Sequence, residues 1–102
     1  MGISIHKEIP SNVSTSGGNW HTTTTSKFNG LLRQIIIRAN SESNCFDFYI
    51  KDENDISIFG REDVDGELNE QVCLPVKGPH TLAIINATSD EAFTVYLAIQ
   101  EI

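Results

Sequence analysis

The chain has 102 residues, 39% hydrophobic and 21% charged, which suits one folded domain and excludes both a disordered chain and a two-domain protein. Its net charge of −7 argues against nucleic acid as a partner, because neutralising phosphates needs clustered Lys and Arg. No apolar run approaches the ~20 residues of a membrane helix, and no signal-like segment follows Met1, so the expectation is cytoplasmic synthesis and no membrane partner.

In chain order, Ile3, Ile5 and Ile9 alternate weakly, as in an edge strand or a docking arm. Residues 10–30 are polar, rich in Ser, Thr, Gly and Asn, and Trp20–Thr25 has strand propensity without an apolar face. Residues 1–27 therefore read as an N-terminal arm and polar loop, and residues 28–102 as the folded domain.

The pattern then becomes regular. Leu31–Arg38 reads as a strand, and Cys45–Lys51 alternates with Phe46, Phe48 and Ile50 on one side. Ile56–Phe59 is short, and Gly60 to Gly66 reads as an acidic loop. Leu68–Leu74 and Thr81–Asn86 follow, and Ala92–Ile102 aligns Phe93, Val95, Leu97 and Ile99. Segment starts at 31, 45, 56, 68, 80 and 92 are 11 to 14 residues apart, and no apolar stripe has helical period. The expected fold is all-β: an antiparallel β-sandwich of seven to eight strands, jelly-roll-like or immunoglobulin-like. Its core should hold Ile35 or Ile36, with Phe46, Phe48, Ile50, Leu82, Ile84, Phe93, Val95, Leu97 and Ile99.

Chemistry-bearing residues are sparse. Asp63-Val64-Asp65-Gly66 resembles the start of a calcium loop, but Val72 stands where the closing Glu would be. His6, His21 and His80 lack the close spacing of zinc ligands. Cys45 and Cys73 have no CxxC spacing and read as free thiols. No nucleophile motif or phosphate loop is present, so no catalytic residue, metal ligand or cofactor is assigned and the chain is not read as an enzyme. Trp20, Tyr49 and Tyr96 are the candidates for stacking on a ligand, which would make the chain a small carbohydrate-binding module.

Phe28-Asn29-Gly30-Leu31-Leu32-Arg33-Gln34-Ile35, Phe46-Asp47-Phe48-Tyr49-Ile50-Lys51-Asp52 and Leu74-Pro75-Val76-Lys77-Gly78-Pro79, followed by the last hairpin, resemble small β-sandwich structural proteins of tailed bacteriophage virions, including capsid decoration proteins. The resemblance implies a virion location, protein–protein contacts in place of catalysis, and other virion proteins as partners. It carries over no functional residue.

Three strands are apolar on both sides. Leu32 and Ile36 oppose the Ile35 row, Ala83 and Ile85 oppose Leu82 and Ile84, and Tyr96, Ala98 and Ile102 oppose the Phe93 row. A sandwich sheet needs only one buried face. Leu32, Ile36, Ala83, Ile85, Tyr96 and Ile102 are therefore expected under a cover, either a contact between copies of the chain or the chain's own N-terminal arm through Ile3, Ile5 and Ile9. The virion resemblance suggests a trimer there, although two-fold dimers are commoner. The charge is also uneven: residues 1–41 carry four bases and one acid, residues 42–102 three bases and thirteen acids.

Overall fold

The computed structural model describes residues 5–7, 12–24 and 29–100. Described strands are β1 (Ile5–Lys7), β2 (Asn12–Ser14), β3 (Trp20–Thr23), β4 (Gly30–Ala39), β5 (Cys45–Lys51), β6 (Ser57–Asp65), β7 (Glu67–Val76), β8 (Thr81–Ile85) and β9 (Ala92–Gln100). They form two antiparallel sheets, one ordered β1-β9-β4-β7 with β2 also on β9, the other β3-β8-β5-β6.

The short strands β1 and β2 pair with opposite ends of β9, at Ala98–Gln100 and Ala92–Thr94, so they share one edge and leave eight strand positions. From β2 onward every connection crosses between sheets except the β5–β6 hairpin. That is the winding of a jelly roll, and it decides between the two expected layouts.

Side chains from both sheets fill the space between them. Phe46, Phe48, Ile50, Leu82, Ile84, Phe93, Val95, Leu97 and Ile99 are buried, as the alternation predicts, and the Phe46 and Phe93 rings meet edge to face at 5.1 Å.

Three readings need correction. First, Leu32 is fully buried and shares the inner face with Ile35 and Ile37. A bulge between Leu32 and Gln34, seen in the register with both β7 and β9, inserts one residue and reverses the phase of β4. Leu32 is thus removed from the expected outer contact. Second, the acidic stretch after Gly60 is not a loop, because β6 runs to Asp65 through pairing with β5. Its acids are exposed and need no apolar partner. Third, the polar segment expected as arm and loop supplies β2 and β3, with Val13 opposite Phe93 and Trp20 opposite Ile84. An edge strand gains its main-chain bonds from a single neighbour, so one inward side chain suffices where a central strand needs several.

Gly66 is the corner between the sheets. Its φ is +75°, its N–H donates to the Asn44 carbonyl, and its carbonyl accepts from the Ala39 N–H. A Cβ there would sit 2.6 Å from the Glu42 carbonyl oxygen, so only glycine fits.

Candidate functional site

The outer face of the β4–β9 sheet carries Ile36 and Tyr96 as direct cross-strand partners, both partly buried. Around them stand polar groups already bonded within the face. Gln34 donates to Asn69 at 3.1 Å, Arg33 donates to Gln100 at 2.7 Å, and Arg38 is paired with Glu67 at 2.9 Å. Beside Tyr96 lies a shallow hollow of about 350 Å³ lined by Arg33, Gln34, Gln71, Val72 and Ala98. Among the described residues, the charged side chains on this face are two bases and one acid, in a chain of net charge −7.

The opposite outer face, on the β5–β8 sheet, holds Tyr49, Ala83 and Ile85. Tyr49 packs on Gly60, where a Cβ would come 2.8 Å from the ring. Burial, then a hydrogen bond to Glu62, pushes the Tyr49 hydroxyl pKa up. Asp47 accepts from the Asp63 N–H and from the Asn86 side chain, at 2.9 Å each. Cys45 lies in the same region. Burial first, then the nearby carboxylates of Asp65 and Asp63, raises its pKa and keeps it a thiol, unsuited to nucleophilic attack.

The expected contact residues therefore do not form one patch. Ile36 and Tyr96 share one face, Ala83 and Ile85 the other, and Leu32 is in the core. Ile102 lies outside the described residues. The stacking residues also diverge: Trp20 turns inward and packs on the core, and Tyr49 and Tyr96 are on opposite faces.

Asp63 ends up in β6 and Gly66 at the sheet corner. Among the described residues, no three His, Cys, Asp or Glu side chains are grouped as metal ligands, and the side chain of His6 lies outside them. His80 is buried, with Nδ1 2.9 Å from the Gly78 carbonyl oxygen. Cys45 and Cys73 are free thiols.

One polar network escaped the sequence reading. Asn44 is 1% exposed and ties the β4–β5 loop to the β8–β9 loop. It donates to the Ser89 carbonyl and to Glu91, and accepts from Thr88 and the Ser89 N–H. Asp90 accepts from the N–H groups of Gly17 and Gly18, at 3.1 and 2.8 Å. The Gly18 bond foremost holds the Asp90 carboxyl below its ordinary range, and the Asn44 and Ser41 side chains do the same for Glu91. Both native values lie below the unfolded ones, so both carboxylates stabilise the fold at neutral pH. That contribution is lost as pH falls through the ordinary carboxylate range. Urea midpoints should drop between about pH 6 and 3, and Glu91→Gln should flatten the slope. A midpoint constant over that range would show that the network adds nothing.

No family model matches the sequence, and no curated protein matches it. Among solved structures, infectious bursal disease virus Gt strain aligns at a TM-score of 0.40 and 10% identity, covering 98% of this chain and 32% of the other. The infectious bursal disease virus VP2 subviral particle aligns at 0.40 and 12%, with the same coverage. The chain thus spans about a third of the length of those chains, and a likeness of that depth shows neither family nor function.

Proposed function

We propose that the chain is a non-catalytic structural protein of a virus particle, in the manner of a capsid decoration protein, and that it associates with itself through the outer face of the β4–β9 sheet. The observation that carries the self-association is the Ile36–Tyr96 pair at the centre of a face with nearly balanced charge. Copies of a protein with net charge −7 repel, least where the charges on the face cancel. The other outer face is less suited, because Asp47, Glu62 and Asp65 outnumber Lys51 there. The virion location rests on the resemblance of the Phe28–Ile102 text to small phage structural proteins. It is consistent with the jelly-roll order, a layout common to capsid, lectin and other domains.

A face packed on its own copy closes at two, which favours a two-fold dimer over a trimer. Three strands of about ten residues, with the short β1 and β2 filling part of a fourth position, at about 4.8 Å spacing, cover roughly 550 Å² in projection. A corrugated surface of that plan approaches the ~800 Å² per partner of a stable interface. Sedimentation velocity at micromolar concentration should show a dimer. Ile36→Glu should raise its dissociation constant at least roughly tenfold. Ile85→Glu, on the opposite face, should leave it unchanged. A monomer at all concentrations, or disruption by Ile85→Glu alone, would overturn the assignment.

A further inference from the structure

Strands β6 and β7 are joined at Gly66 but belong to different sheets, and each is the last strand of its sheet among the described residues. Between them lies a groove of about 480 Å³, lined by Ser57 to Arg61 on one side and Val72, Cys73 and Leu74 on the other. Ile58, Val72 and Leu74 pack against the core yet stay partly exposed, so the floor is apolar and open.

Charge within the groove is confined to Arg61 and its partner Glu70, on the side nearer the Gly66 corner, and is abundant beyond both ends. In the turn before β6 stand Asp52, Glu53 and Asp55, with Lys51 paired to Asp55 at 3.5 Å. Toward the corner stand Glu62, Asp63, Asp65 and Glu67, with Arg38 paired to Glu67. Arg61, the charged residue of the lining, is clasped by Glu70 across the gap, with Nη2 at 2.7 Å, and lies 4.4 Å from the Phe59 ring centroid. Edge strands are normally blunted by charge along their length. Here the acids leave an apolar stretch between them, bordered by two sheet edges with main-chain groups to offer.

The geometry points to one occupant: an extended segment of another protein, apolar in its middle and basic at both ends, added as a strand along this groove. The lining spans five residues of β6, Ser57 to Arg61, which at about 3.3 Å per residue matches an apolar stretch of about five residues. Two or three alternate side chains would reach the floor, main-chain bonds to a free edge would supply affinity, and the acids at either end would select for Lys or Arg. The groove adjoins the β4–β9 face, with Val72 lining both it and the hollow beside Tyr96, so peptide binding is read at a protein concentration where sedimentation shows a single species, which separates this inference from self-association.

The probe is a labelled synthetic peptide of five alternating Val and Thr residues flanked by two Lys at each end, read by fluorescence anisotropy on the full chain. A second peptide has Glu in place of Lys, and a third is N-methylated along the Val–Thr stretch. The lysine peptide should bind roughly tenfold or more tightly than the glutamate peptide. Raising salt from about 50 to about 500 mM should weaken it severalfold, because the selecting acids are exposed. N-methylation should abolish binding, which simple adsorption to an acidic surface would not require. Cys73→Lys, at an exposed position in the groove, should weaken binding at least roughly tenfold. Ser57→Lys serves the same purpose from the other side should the first variant not fold. No binding of the lysine peptide, equal binding of the two charged peptides, or binding indifferent to N-methylation or to the folded groove variant would overturn the inference.

Discussion

Phe48→Ala should cost about 3–5 kcal/mol of folding stability, a large share of the ~5–15 kcal/mol a domain possesses. Phe48 is fully buried, lies opposite Ile84 in register, and has the Phe59 ring 6.3 Å away. Truncation removes the apolar contact and leaves a void that two hydrogen-bonded sheets cannot close by moving together. Trp20 is the one tryptophan and packs against the core, so its fluorescence in urea reports the loss directly. Tyr49→Ala, on the outer face of the same strand, should cost clearly less. A Phe48→Ala midpoint within error of the unmodified protein would mean that the space between the sheets is not packed as described.

Gly66→Ala should be the most damaging glycine substitution among the sheet connections. A backbone held at positive φ costs an L-residue about 1–3 kcal/mol. At Gly66 the added Cβ also meets Glu42, with the carbonyl oxygen at 2.6 Å and Cα at 2.9 Å, so the β4–β5 loop must move. That loop cannot yield cheaply, because Asn44 within it bonds both to Gly66 and to the β8–β9 loop. Gly78 is the matched control: its φ is +82°, but nothing lies within 4 Å of its Cβ position. Gly78→Ala therefore reports strain alone, and the excess at Gly66 reports the clash. Equal urea midpoints for the two variants would remove the steric part of this account.

The legible elements were those with strict alternation and no interruption. In β5 and β9, every second residue is a large apolar one, and both strands and their core faces follow from that pattern. Strand β4 misleads, because its bulge moves Leu32 inward while a period-two count keeps it outside. Alternation marks only the first half of β6, because its second half is acidic, although its main chain pairs with β5 as far as Asp65. Strands β2 and β3 had too little apolar character to register, since each needs only Val13 or Trp20 to face inward. Turn residues marked the loops that Asn44, Asp90 and Glu91 join, but not their pairing, which links positions more than forty residues apart. The apolar outer positions were visible as a surplus. Their division between two opposite faces depends on sheet order, which alternation does not encode.

That division allows the self-association surface to be located with two native side chains. Tyr96 and Tyr49 are the two tyrosines of the chain, one on each outer face. Tyrosine-selective labelling with mass-spectrometric readout, carried out across protein concentrations spanning the association, compares the two faces in the same molecule. Modification of Tyr96 should fall as the protein associates, while modification of Tyr49 stays constant. Protection of Tyr49 with Tyr96 unchanged, or protection of neither while the protein associates, would contradict the assignment of the β4–β9 face as the contact.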